Sequence, residues 1–327
     1  MNDRITRRAL VAGATALPAL APAWARAQQG FPNRPVTIIN GYSAGGQTDL
    51  ATRMLAEQMT AALGQSVLVE NRVGGATAIA STAVAQARPD GYTLLAGTSS
   101  LAINPTLQPS LTPREPQKEL APVGMVYRGA FVLHVHPDLP VKTLPEFIAY
   151  AKANPGKLNY GSGGSGTVVH LAMEMLRQKA GIDLVHVPYR GGTQTLLDLQ
   201  SGRIQAVFQS PIEALPSLEA GKTRAIAISS RERLNVLPEV PTLAEFLPGF
   251  EAVLWLALFA PAGTPAPVLA RLTSAVNRAT GEPGFRRRMA EVGLAVETGD
   301  AEMLRGLLVA DTANWRAVIT ESKITID

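Results

Sequence analysis

Apolar residues fall along the chain in two rhythms. Runs of four or five, bounded by Gly, Pro, Asn or Asp, alternate with stretches in which an apolar residue returns every third or fourth position, the pattern of strands alternating with helices. The first run, over 36–39, predicts a buried strand. The stretch over 49–63 places Leu50, Met54, Leu55, Met59, Ala62 and Leu63 on one helical face, with Thr48 or Asp49 as cap and Gly64 as stop. A strand over 67–69, a turn at 72–75, an alanine-rich helix over 76–87, the Pro89-Asp90-Gly91 turn and a strand over 92–96 complete a βαβαβ block. A second block of similar layout has strands over 131–135, 157–161, 184–187, 204–208 and 225–228, helices over 144–153, 167–180 and 194–200, and a short helix after Pro211. The run over 250–259 reads as one more strand, and helices over 265–279, 283–292 and 301–319 follow.

That helical tail has few strands of its own, so we expect it to return onto the first block. The chain then divides into one domain of 28–127 plus 253–327 and another of 128–252, each an α/β unit with a mostly parallel sheet flanked by helices. It crosses between them twice, near 124–131 and 248–256, and two crossings make a hinge.

A length of 327 residues suffices for two cores, and 46% hydrophobic against 17% charged residues fits compact structure rather than disorder. Residues 1–27 carry Arg7-Arg8, an apolar run broken by Pro18 and Pro22, and then Ala25-Arg26-Ala27, the order of an export signal. The paired arginines suit the twin-arginine route and general secretion alike. Removing this segment takes away four arginines and one aspartate, so the formal charge falls by three, from +4 to +1. Lys and Arg form no stripe that would track phosphates, and no nucleic-acid partner is expected. With no cysteine, the chain has no disulfide, thiolate metal site or thiol nucleophile. No close group of His, Asp and Glu suggests a metal, and no cofactor is expected.

Two glycine-rich turns between a strand and a helix are candidates for chemistry. Gly41-Tyr42-Ser43-Ala44-Gly45 matches the G-x-S-x-G elbow of α/β-hydrolases. It follows the first strand, however, and Gly46 and Gln47 delay the helix beyond the serine. None of His134, His136, His170 and His186 falls on a late loop after an acid, as a triad in that order requires, so a serine hydrolase using Ser43 stays the alternative reading. Gly161-Ser162-Gly163-Gly164-Ser165-Gly166 satisfies G-x-G-x-x-G, yet Asp183 opens the next strand instead of closing it, which argues against a dinucleotide. Both turns instead suit an anion, because close backbone N–H groups and a helix N-terminus point at one place. Amides and hydroxyls from Ser43, Thr48, Ser162, Ser165 and Thr167 suit a carboxylate clamped between the domains. Thr98-Ser99-Ser100, Tyr189-Arg190-Gly191-Gly192 and Gln209-Ser210 fall at the same sheet edge. Arg190 is either a fork for a carboxylate or a solvated loop residue, and Tyr42 either stacks on a ligand or lines the cleft.

Several longer stretches, AGGQTDLATRMLAEQM, LGQSVLVENRVGGA, RPDGYTLLAGTS, LPVKTLPEFIAYAKANPGKLNYGSGGSGT, HVPYRGG, LPEVPTLAEF and FAPAGTP, occur in this order between Pro35 and about Trp315. On these the chain resembles the substrate-binding proteins of tripartite tricarboxylate transporters, the Bug receptors. The resemblance implies a periplasmic-binding-protein-like clamshell of type II that captures a carboxylated solute for a membrane permease pair; we expect a monomer. It implies that Tyr42, Ser43, Ala44, Gly45 and Gly46 face Ser162, Gly163, Ser165, Gly166 and Thr167 across the ligand; the turns at the same sheet edge add Thr48, Ser99, Tyr189 and Gln209 as expected ligand-binding residues. Asn40-Gly41-Tyr42 stands where a Val-Pro-Phe type run is usual, and Phe208-Gln209-Ser210 replaces a Phe-Asp-Asn type, which takes one negative charge from the cleft. A ligand-loaded sensor docking on a membrane signalling partner shares all these features.

Overall fold

The computed structural model describes residues 30–189 and 192–325. Residues 1–27, read from the sequence as an export signal, lie outside these residues, as do Arg190 and Gly191. Two sheets organise the chain. The first has the order β11-β4-β10-β3-β1-β2, formed by β1 (Val36–Asn40), β2 (Val67–Asn71), β3 (Thr93–Thr98), β4 (Leu120–Ala130), β10 (Val253–Pro261) and β11 (Ala295–Val296). The second has the order β7-β6-β8-β5-β9, from β5 (Val132–Val135), β6 (Asn159–Ser162), β7 (Val185–Pro188), β8 (Ala206–Gln209) and β9 (Arg224–Ile228). This is the two-domain α/β architecture of periplasmic binding proteins.

Parallel pairing holds where strand and helix alternate, at β1 with β2 and β3 and at β6 with β7 and β8. The strands that carry the chain between sheets enter antiparallel: β10 runs against β3 and β4, and β5 runs against β8 and β9. β4 passes almost directly into β5, with only Phe131 between them. Its length is hidden in the sequence because Pro122 and Gly124 punctuate it. Gly124 is nonetheless required, since a Cβ there would sit 2.9 Å from Val276 Cγ1 on the covering helix Ala266–Gly281.

The helical tail packs back on the first sheet as expected. Thr273 donates to Val123 O and Arg271 to Ala62 O. The helix Ala301–Glu321 also reaches the second half, where Gln178 Nε2 donates to Val318 O (3.1 Å). A buried core runs without a break from Ile39, Leu95 and Phe259 through Trp255 and Phe131 to Leu133, Phe147 and Leu171.

Two local expectations are corrected. The first helix begins at Gln47 after Gly46, and neither Thr48 nor Asp49 caps it. The helix expected over 76–87 begins as a 3₁₀ turn, Gly75–Thr77, with Ala76 (φ 47°) and Thr77 (φ 76°) left-handed, and turns α-helical only at Ala78–Ala85. Tertiary contacts impose this: Asn104 Nδ2 holds Ala76 O at 3.0 Å, and Thr77 packs against Gly41, whose added Cβ would lie 2.6 Å from Thr77 Cβ. The helix Ser100–Leu107, with Pro105 inside it, is absent from the periodicity altogether.

Candidate functional site

The first turn is shaped from inside its own helix. Asp49 is 1% exposed, and its carboxylate accepts from the Gly45 N–H (2.9 Å), Arg53 Nε (2.9 Å) and Asn71 Nδ2 (2.8 Å). Asn71 Nδ2 also donates to Tyr42 O at 2.9 Å, so one side chain from β2 fastens both ends of the loop. Burial opposes the Asp49 charge, but the hydrogen bonds from Arg53, Gly45 and Asn71 outweigh it and hold the carboxyl below its ordinary range. Gly45, at φ +82°, occupies a conformation that side chains resist. The Tyr42 hydroxyl shares hydrogen bonds with Thr98 Oγ1 (3.0 Å) and Ser100 Oγ (3.1 Å), tethering the ring to the end of β3, and burial raises its pKa. Among the described residues, the N–H groups of Ser43, Gly46, Gln47 and Thr48 donate to no protein acceptor. Helix geometry leaves such groups open.

The second turn rests on histidines. Ser162 Oγ, fully buried, lies 2.6 Å from His186 Nε2 and accepts from the Gly164 N–H (3.2 Å). Thr167 Oγ1 donates to Gly164 O (2.7 Å), and the Gly166 N–H donates to His170 Nδ1 (3.0 Å). The rings of His170 and His186 stack 3.9 Å apart at 9°. Burial lowers both pKa values, that of His186 to about 4, so two neutral imidazoles underlie the loop. Below them the Tyr160 hydroxyl donates to Glu174, which also receives Arg177 Nη1 (2.8 Å).

Both turns open on one cavity of about 250 Å³. Tyr42, Ser43, Gly46, Gln47 and Thr48 line it from the first half and Gly163 and Val169 from the second, with Phe131 and Leu254 of the crossing segments between them. The far wall is Val207, Phe208, Gln209, Ser210, Gly192, Thr195 and Glu213. A larger groove of about 610 Å³ lies behind the crossing strands, lined by Arg128, Val253, Asp311 and Trp315. Val253 and Leu254, adjacent on β10, point to opposite faces, so cleft and groove are separated by the strand itself. Only the cleft receives the glycine turns.

Of the residues singled out from the sequence, Tyr42, Ser43, Gly46, Thr48, Gly163 and Gln209 therefore meet at the cavity. Ala44, Gly45, Ser99, Ser162, Ser165, Gly166, Thr167 and Tyr189 do not line it. Gly45, Ser162, Gly166 and Thr167 are occupied within their own turns. Ser99 Oγ donates to Val253 O (3.2 Å), stapling β3 to the crossing strand, and Tyr189 donates to Asp198 Oδ2 (2.8 Å). Gln209 lines the wall but is held on both sides: Nε2 donates to Gly192 O (2.8 Å) and Oε1 lies 3.0 Å from His134 Nε2. An amide oxygen only accepts, so His134 carries its proton on Nε2 and takes the Thr223 hydroxyl on Nδ1, 3.1 Å away. Burial drives the His134 pKa down to about 4, in keeping with a neutral ring. Ser43 Oγ has no histidine or acid partner among the described residues, and all four histidines belong to the half built on the second sheet. Phe131, Val207, Leu254 and Glu213 were not legible in the sequence because buried apolar residues in or between strands and a helix-start acid carry no mark of a cleft.

A cleft closed by two strand-to-helix turns across a pair of crossing strands defines a solute receptor. Residues 51–324 match the tripartite tricarboxylate transporter family receptor, and the chain belongs to that family. Its fold is similar to the periplasmic binding protein BugD (TM-score 0.79, 30% identity, covering 90% of this chain and 99% of that one). It is also similar to Rpa4515 of R. palustris, solved with adipate (TM-score 0.82, 30% identity, 90% and 99% covered). MatC of Rhodopseudomonas palustris, solved with bound malate, matches at TM-score 0.79 and 33% identity, with 88% and 100% covered. The family is one of substrate-binding receptors.

Proposed function

We propose that this chain is an exported periplasmic receptor that holds a small carboxylate-bearing solute between two lobes and delivers it to the membrane subunits of a tripartite tricarboxylate-type transporter. The observation that carries the reading is the convergence of the two turns on one cavity, with the open N–H groups of the first turn facing it. A carboxylate held by Gly46, Gln47 and Thr48 gains charge-assisted hydrogen bonds and the positive end of the helix Gln47–Leu63. The lobes are residues 28–127 plus 253–327 and 128–252, and Phe131 and the start of β10 are the hinge. Ligand contacts from Gly163 complete only on closure, so ligand shifts the population toward the closed state. Adipate and malate in neighbouring structures support the carboxylate class.

The test is calorimetric titration of the monomeric mature protein with mono- and dicarboxylates, comparing Gly46→Pro with Gly46→Ala. Gly46 has φ −76°, within the range proline adopts, and an added Cβ would meet only Ser43 O at 3.6 Å. The alanine variant keeps the amide hydrogen and the proline variant deletes it. We expect Gly46→Pro to bind at least about tenfold more weakly than Gly46→Ala, the worth of one charge-assisted hydrogen bond, with melting curves matched. Equal affinities refute the assignment, and fluorophosphonate labelling that disappears in Ser43→Ala would make the protein a hydrolase.

A further inference from the structure

Resting on the receptor reading, we infer that Glu213 makes the far end of this cleft select against a second carboxylate, so that the preferred ligand is a monocarboxylate with a neutral or cationic tail. Among the described residues lining the cavity, Glu213 is the charged side chain and none is a cation. The nearby wall is Val207 and Phe208, with Gln209 already committed to His134 and Gly192. The acid that Gln209 lacks at the end of β8 thus returns one helical turn later.

A cap is the competing explanation, because Ser210-Pro211-Ile212-Glu213 has the spacing of a capping box. The chain shows what a completed box looks like: at Thr143, the Glu146 carboxylate accepts the Thr143 N–H while Thr143 Oγ1 accepts the Glu146 N–H. At Ser210 neither bond forms. The Ser210 side chain caps nothing and instead donates to Glu213 Oε2 (2.8 Å), while Glu213 Oε1 lies against Gly192, where an added Cβ would meet it at 2.9 Å. The carboxylate thus accepts from none of its own helix's backbone N–H groups and rests between the Ser210 hydroxyl and Gly192, both of which line the cavity. A ligand anchored by one carboxylate at Gly46–Thr48 would bring a second negative group toward Glu213, and like charges a few ångströms apart in a cleft repel by more than a factor of ten in affinity.

The experiment titrates the mature protein with sets matched in carbon number and differing only in tail charge: hexanoate, adipate and 6-aminohexanoate; butyrate, succinate and 4-aminobutyrate. The expected result is that, in the set that binds best, the dicarboxylate is at least about tenfold weaker than the other two. Glu213→Gln, whose amide oxygen still accepts from Ser210, should remove most of that difference and weaken the aminocarboxylate. Adipate or succinate bound as tightly as its monocarboxylate, or a ratio unchanged in Glu213→Gln with an unchanged melting curve, overturns the inference and leaves the receptor reading standing. Absence of binding across every carboxylate overturns both.

Discussion

Asp49 is the residue on which the first turn depends, although it does not line the cavity. Replacing it with alanine removes three acceptor bonds at once, to Gly45 N–H, Arg53 Nε and Asn71 Nδ2. Arg53 has a side chain 47% exposed and can turn to water, so its share is small. Asn71 keeps Tyr42 O but loses a partner, and the Gly45 amide is left to a loop without its anchor; at about 1 kcal/mol for each such bond the protein loses about 2–3 kcal/mol. In a chain of this size that corresponds to a melting temperature lower by about 5 °C. Binding should fall more steeply than stability suggests, by about tenfold or more, because the amides of Gly46–Thr48 are aimed by the loop that Asp49 holds. The assay is scanning calorimetry with and without the best carboxylate, together with titration. The sign of its pH dependence is fixed by the lowered pKa: the stability that Asp49 supplies is present above the unfolded value near 4 and is lost as pH falls through the folded value. The gap between wild type and Asp49→Ala should therefore narrow in acid. A variant that melts within about 1 °C of wild type and binds within twofold refutes the argument.

Other outcomes follow from the same contacts. His134 and His186, held neutral with pKa about 4 against 6.5 for a free histidine, bind protons in the unfolded chain first. Denaturant stability should thus fall as pH drops from about 6.5 to 4, by up to about 3 kcal/mol for His134, and a flat profile over that window would contradict their burial. Gly41→Ala drives a Cβ to 2.6 Å from Thr77 and should cost about 1–3 kcal/mol in urea unfolding, with carboxylate affinity reduced as the loop shifts. Gly161→Ala meets Thr195 Cγ2 at 2.4 Å and Ile204 Cδ1 at 2.5 Å, so it should destabilise by a similar amount, and a melting curve like wild type's would show that the second turn yields more easily than this packing implies.

Much of this protein is decided locally. Strand and helix periods placed nearly every element of the second half within a few residues, because those elements follow one another as regular β-α units whose buried faces repeat. The glycines of both turns were legible for the same reason: φ +82° at Gly45 and φ +78° at Gly166 leave a trace as glycine in any sequence. What the chain could not announce depends on residues far apart. β4 pairs with β10 across more than a hundred positions, and its Pro and Gly look like loop until a neighbouring helix needs the room. The left-handed start at Ala76-Thr77 follows from Gly41 and Asn104, and the division of the glycine turns into amides already used and amides left open follows from Asp49 and His170. Hydrogen-bond partners are chosen in three dimensions, so a sequence names the turn that can hold an anion, while only the folded chain decides which of its N–H groups are free to do so.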